Sequence, residues 1–314
     1  MVKMLHASKP ISQPPLPHPP LSPSQSRYIL PSDDSEIQRL NLQSLFLTQQ
    51  VSEDKLIYAP AYLEHGDHVL ESGTGTGIWL TSLASQVPPS ISFTGIDIQT
   101  RLFPQPSSYP SNISFLQHSI TSLPFDWSNR FSFVNQRLLI GGLSAQEWAA
   151  ALREIHRVLI PGGWFQCIEP HFPSKPESDS VGPCTGRIFD LLRALMDRNG
   201  LVWSIALELG GRDDDDGMLS IAGFVNVQSC TVSLPVLPHE HSGTQAPSRT
   251  TEFTHRTLME WFFAALRPGM VATKLLGSAE EFDELLKSVF EEWDQNPDVA
   301  WSWAIVYAQK QGMK

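Results

Sequence analysis

The stretch of this sequence best suited to hold a ligand is Val69-Leu70-Glu71-Ser72-Gly73-Thr74-Gly75-Thr76-Gly77-Ile78-Trp79. Three glycines at alternate positions let the backbone bend tightly and lie flat against a bound group, because no Cβ intrudes. A strand pattern ends at Glu71 and a helix pattern opens after Gly77. The free N–H groups of that helix's first turn therefore face whatever fills the bend. Asp97 ends the next apolar stretch, Phe93-Thr94-Gly95-Ile96-Asp97, 20 residues beyond Gly77. In doubly wound folds the carboxylate at the end of the second strand lies beside a ligand ribose and accepts its hydroxyls. Loop and acid together point to a nucleoside ligand. The dinucleotide pattern G-x-G-x-x-G would put its third glycine at position 78, where Ile78 stands, which disfavours a nicotinamide oxidoreductase.

Positioning these groups requires strands and helices in alternation, and the sequence supplies them. Short apolar strands are expected at His68–Glu71, Ser92–Asp97, Ile113–Gln117, Phe131–Asn135 and Trp164–Glu169. Ser144-Ala145-Gln146-Glu147 is a capping box, with Trp148, Leu152, Ile155 and Leu159 at helical spacing behind it. Pro161-Gly162-Gly163 stops that helix. The pattern indicates a mainly parallel sheet covered on both faces. After Glu169 the alternation breaks, and helices are expected near 184–199 and 201–210, then at 255–267 and 278–293. Strands return at Val225–Leu234 and Ala300–Ala308, the last with Trp301, Trp303, Ile305 and Tyr307 on one side. The expected organisation is a Pro-rich disordered tail at 1–26, a helical cap at 27–53 and an α/β core at 54–170. A helical lid insertion follows at 171–216, and the rest of the core with substrate-side helices at 217–310.

Composition narrows the function further. The 314 residues are 41% hydrophobic, enough for a sizeable core. Lys and Arg number 22 against 33 acids, a formal charge of −11 with no basic cluster, which disfavours nucleic acid as a partner. No apolar run approaches membrane-spanning length, so no membrane association is expected. Three cysteines without a CxxC pair suit a reducing compartment, and a cytoplasmic location with a possible nuclear pool is expected. Four successive acids, Asp213–Asp216, point in different directions and read as a solvated loop, so no metal site is expected.

The G-x-G-x-G spacing of Gly73, Gly75 and Gly77 resembles that of class I methyltransferases that use S-adenosylmethionine. Leu123-Pro124-Phe125 and Val158-Leu159-Ile160-Pro161-Gly162-Gly163-Trp164 are similar to the same superfamily. A narrower resemblance, to fungal methyltransferases related to the secondary-metabolism regulator LaeA, is carried by four groups of residues. These are Tyr28-Ile29-Leu30-Pro31-Ser32-Asp33 with Glu36 and Arg39-Leu40, Asn135-Gln136-Arg137-Leu138-Leu139, Glu147-Trp148, and Glu169-Pro170-His171. The resemblance covers roughly residues 28–235. It implies a Rossmann-like, doubly wound, seven-stranded, mainly parallel sheet with an antiparallel last strand. Ser119 and Ser132 depart from the wider superfamily, which often has Asp at both places.

The resemblance also implies roles. Gly73, Gly75 and Gly77 would take the methionine end of S-adenosylmethionine, Glu71 its amino group and Asp97 its ribose. Ile98 and Ile120 would sandwich adenine, with Ser119 beside it. Gln136 and Arg137 end the fourth strand at the mouth of the crevice, where either could touch cofactor or substrate. Arg137 could equally pair with Asp33 or Glu36. Tyr28, Arg137, Trp261 and Phe262 are the candidate contacts to a small-molecule acceptor. His171 is the candidate base, with His118 a weaker one. The expected activity is methylation of a small secondary metabolite, most readily at oxygen; the alternative is a LaeA-like regulator acting through nuclear protein partners.

Overall fold

The structure is a computed structural model that describes residues 34–172, 181–212, 215–237, 254–296 and 298–312. Helix α1 (Asp34–Phe46) runs into one π turn over Leu47–Val51. The α/β layers follow in order: β1 (His68–Ser72), α2 (Ile78–Ala84), β2 (Ser92–Asp97), β3 (Ile113–Gln117), β4 (Phe131–Arg137), α3 (Ala145–Val158) and β5 (Leu159–His171). Helices α4 (Pro183–Arg198), α5 (Ile205–Gly210) and α6 (Met218–Ile221) precede β6 (Phe224–Pro235). The chain closes with α7 (His255–Ala272), α8 (Ala279–Gln295) and β7 (Ala300–Lys310).

The seven strands form one sheet in the order β3-β2-β1-β4-β5-β7-β6. β1 to β5 are parallel, and β7 runs antiparallel to both β5 and β6. The order reverses between β1 and β4, where the chain steps from one half of the sheet to the other. A crevice must open there, at the carboxyl ends of the strands.

Local sequence explains the elements. Ser144 accepts from the Glu147 amide at 3.4 Å, and the Glu147 carboxylate accepts from the Ser144 amide at 2.8 Å, so the capping box holds the start of α3. Trp148, Leu152, Ile155 and Val158 of α3 are fully buried against Val134 and Phe165 of the sheet. The other face packs Val69, Phe93 and Phe133 against Trp79, Leu80 and Leu56.

Several boundaries differ from expectation, two of them for a visible local reason. β5 begins at Leu159 rather than Trp164, because the Pro161-Gly162-Gly163 bend, with Gly162 at φ 85°, is absorbed as a bulge. The register jumps from Phe131–Leu159 to Phe133–Trp164. Helix α7 continues through Pro268 to Ala272, held by the fully buried Leu266 and Met270 on either side of the proline.

A polar clamp fixes the segment that leads from α1 into the sheet. Gln166 Oε1 accepts the Tyr58 and Ala59 amides at 2.6 and 3.0 Å, and its Nε2 donates to the Leu56 carbonyl at 3.2 Å. Replacing Gln166 by Leu keeps the bulk and strands the half-buried Tyr58 amide and the buried Ala59 amide, the latter at about 1–3 kcal/mol. Gln166→Leu is expected to lower the urea unfolding midpoint without changing the far-ultraviolet circular dichroism. A midpoint equal to that of the wild type would remove the clamp from the account.

Candidate functional site

The three loop glycines all sit at positive φ, 64°, 52° and 69° for Gly73, Gly75 and Gly77. Their surroundings differ. A Cβ on Gly73 would lie 2.6 Å from Leu139 Cδ2, and one on Gly77 would collide with the Phe115 ring, while Gly75 faces more open space. The Thr74 amide ties the bend to β2 by donating to the Ile96 carbonyl at 2.9 Å.

Asp97 closes the bend from the neighbouring strand. Its Oδ2 accepts the Gly75 amide at 3.0 Å and its Oδ1 the Gln99 amide at 2.9 Å, and each oxygen keeps lone pairs for a ligand. Burial raises the Asp97 pKa, against the pull of those amides. Glu71, one residue before the end of β1, accepts from Thr74 Oγ1 at 2.6 Å and stands 3.8 Å from Arg137 Nη2. Desolvation outweighs Arg137 and moves Glu71 from 4.5 up to about 7.

These groups line a cavity of about 560 Å³ at the switch point, within the size range of small-molecule sites. One end is polar, with Glu71, the loop from Gly73 to Thr76, Asp97, Ile98, His118, Ser119 and Ile120. Burial lowers the His118 pKa. The other end is apolar, with Pro170 and Phe172 after β5, Leu192 and Met196 of α4, Met259 and Phe262 of α7, and Trp301 and Trp303 of β7. Helix α1 roofs the cavity with Arg39, Leu40, Gln43 and Ser44. Two hydrogen bonds fasten that roof: Thr76 Oγ1 to Asn41 Oδ1 at 2.7 Å, and Arg137 Nη2 to Ser44 Oγ at 3.0 Å.

Of the expected site residues, Glu71, Gly73, Gly75, Asp97, Ile98, Ser119, Ile120, Arg137 and Phe262 all face this one cavity. Five need correction or lie elsewhere. His171 is not in its wall: side chains alternate along a strand, Pro170 and Phe172 take the cavity side, and the His171 ring lies 3.3 Å from Thr231 Oγ1 of β6. Gln136 is fully buried beside Ser72 in the sheet, not at the mouth of the crevice, for the same reason of alternation with Arg137. Gly77 serves helix packing against Phe115 rather than the cavity wall. Trp261 lies outside the wall, since its neighbour on the helix, Phe262, takes the inward face. Tyr28 lies outside the described residues, as do the 1–26 tail and Asp213 and Asp214 of the acidic run.

Among the described residues, Arg137 does not pair with Glu36 but stands near Glu71. Glu36 is held by Arg39 through two bonds of 2.7 Å, and Asp33 lies outside the described residues. Ser132 Oγ donates to the His68 carbonyl at 3.2 Å, a tie across the sheet. Sequence reasoning missed Trp301, Trp303, Pro170 and Phe172 as wall residues. The alternating tryptophans of β7 were the available signal, because two on one face of a strand next to β5 must meet the crevice. It also missed Glu169, a buried carboxylate behind the wall that accepts the Leu139 and Ile140 amides at 2.8 and 3.1 Å.

A seven-stranded sheet of this order, with a glycine bend and an acid on the adjacent strand opening onto one cavity, defines a Rossmann-like fold of the class I methyltransferase type. Comparisons with known proteins agree. Residues 69–163 match the family model of a methyltransferase domain. N-methyltransferase sirN of Leptosphaeria maculans is 32% identical over 216 residues, 68% of this chain and 71% of that protein. The secondary metabolism regulator LAE1 of Pyricularia oryzae is 28% identical over 220 residues, 68% and 63% of the two chains. Among solved structures, YcgJ of Bacillus subtilis aligns with a TM-score of 0.50 at 16% identity, over 87% of this chain and 99% of that one, a likeness of fold. The chain belongs to the S-adenosylmethionine-dependent class I methyltransferases, in the LaeA-like group.

The raised pKa of Glu71 has a measurable sign. The folded chain holds this proton more tightly than the unfolded chain, so the contribution to stability is full below about pH 4.5 and is lost as pH rises through about 7. Glu169, raised to about 8 by burial, adds a slope of the same sign and remains when Glu71 is changed. Glu71→Gln is expected to flatten the pH dependence of the urea midpoint between those limits. A profile of undiminished slope would mean that Glu71 ionises as an ordinary surface carboxylate.

Proposed function

We propose that this chain transfers a methyl group from S-adenosylmethionine to a small, largely apolar acceptor in fungal secondary metabolism. The observation that carries this reading is the two-ended cavity. A ribose-type carboxylate and a side-chain-free bend lie at one end, and a wall of aromatic and thioether side chains at the other. The secondary-metabolism setting and a nitrogen acceptor are supported by the names of the relatives LAE1 and sirN. The oxygen acceptor expected from sequence needs a base only where its hydroxyl is poorly ionised, and the candidate base, His171, lies against Thr231 of β6. A neutral nitrogen brings its own lone pair and requires no proton to be removed before attack.

S-adenosylmethionine supplies an electrophilic methyl group on a sulfonium. The chain's residues then have three tasks. Asp97 accepts from the ribose hydroxyls while its own amide bonds keep the carboxylate oriented. Glu71 takes the amino group, Ile98 and Ile120 flank the adenine, and Ser119 accepts from the adenine amine. Phe172, Met259, Phe262 and Trp303 hold the acceptor and exclude water, so that the reacting atoms are kept in line. Positioning of this kind is worth about 7–11 kcal/mol of barrier.

Isothermal titration with S-adenosylmethionine tests the first task. Binding is expected for the wild type, with a loss of about tenfold to a hundredfold in Asp97→Ala, since a bond to a charged acceptor is worth about 1.5–3 kcal/mol. Absence of heat, or equal affinity in the variant, would count against the proposal. Metabolite profiling of a deletion strain tests the transfer itself: one product replaced by a precursor lighter by a single CH2 is expected. Loss of many unrelated compounds would favour the regulator.

A further inference from the structure

The turn after β4 forms one wall of the cavity, and a carboxylate outside the cavity holds it. Leu138 enters the left-handed region, at φ 59° and ψ 36°, which a residue with a bulky side chain rarely adopts. A single 3-10 turn over Leu139–Gly141 follows. Its first two amides donate to the two oxygens of Glu169, Leu139 at 2.8 Å and Ile140 at 3.1 Å. The Leu138 amide adds a bond of 3.0 Å to the Ile168 carbonyl on the same strand. On its far side the turn meets the glycine bend, because Leu139 fills the space a Cβ on Gly73 would need. Glu169 itself is fully buried and forms no part of the cavity wall.

We propose that Glu169 is a positioning residue for the cofactor end of the cavity. By gripping the turn it holds Leu138 left-handed and presses Leu139 against Gly73, and so fixes the shape of the bend that receives the ligand. This inference rests on the S-adenosylmethionine reading above. A carboxylate suits the task because its two oxygens accept two successive amides at once. An amide side chain of equal size offers one acceptor and sets an NH2 group against the second N–H.

The test uses the full chain with S-adenosylhomocysteine as the probe, in titration calorimetry and in amide exchange followed by NMR. Glu169→Gln is expected to weaken binding by about tenfold, as one buried amide left without its acceptor implies, and to speed exchange at Leu139 and Ile140 while leaving β1 and β2 protected. Adding Leu138→Gly is expected to restore part of the affinity, because glycine adopts the left-handed conformation without strain. Wild-type affinity in Glu169→Gln overturns the proposal. So does a double variant that binds no better than the single one, which would make Glu169 a general core residue. Should Glu169→Gln fail to fold, Leu139→Ala tests the other end of the same contact, and unchanged affinity there overturns it. If the wild type takes up no S-adenosylhomocysteine, the cofactor reading falls. The positioning role is then judged on exchange alone, where slow exchange of Leu139 and Ile140 in Glu169→Gln overturns it.

Discussion

The molecule is organised around a bond between a carboxylate and a bend that no side chain could share. Asp97 accepts the Gly75 amide across the gap between β2 and the glycine loop. That bond is possible only because the backbone at Gly73, Gly75 and Gly77 lies in the left-handed region, where residues with a Cβ are strained. Neighbours have filled the space so released: Leu139 against Gly73 and Phe115 against Gly77. The bend is therefore fixed from three sides, by a carboxylate, an aliphatic side chain and a ring. Its shape follows from packing as much as from its own sequence.

The rest of the cavity follows from the sheet order. Reversal between β1 and β4 opens the crevice, and the antiparallel β7 beside β5 brings Trp301 and Trp303 to its far end. Helices α4 and α7 complete that end with thioether and aromatic side chains, while α1 lies across the top and is bonded to the loop and to Arg137. A ligand seated here would be enclosed by elements from both halves of the sequence. The polar and apolar ends thus lie along one edge of the sheet, the first at β1 and β2 and the second at β5 and β7.

The parts legible in the sequence were those set by local rules. The strand-bend-helix around Gly73 to Gly77, the capping box at Ser144 and the five parallel strands depend on periodicity, capping and backbone freedom over short spans. Asp97 was legible because its distance from the loop is fixed by one strand-helix-strand unit. What failed depended on which way a strand faces. His171 and Gln136 each occupy the position next to one that faces the cavity, and a displacement of one residue reverses the face. The antiparallel partner that determines the face of β5 lies more than 130 residues away in sequence, with Ser302 opposite His171. Nothing local marks Glu169, because the amides it accepts belong to a turn 30 residues earlier in the chain.

Three carboxylates around the site, the buried Glu71 and Glu169 and the half-buried Asp97, are all raised in pKa by loss of water, yet they serve different ends. Asp97 and Glu169 each accept two backbone amides, which hold their oxygens in fixed directions. Glu71 has one hydroxyl donor and a guanidinium 3.8 Å away, too far for a hydrogen bond. A carboxylate satisfied by amides shapes the backbone around it, whereas one left short of donors within a cavity favours a cationic ligand. That difference follows from the donors each acid was given, since burial raises all three alike.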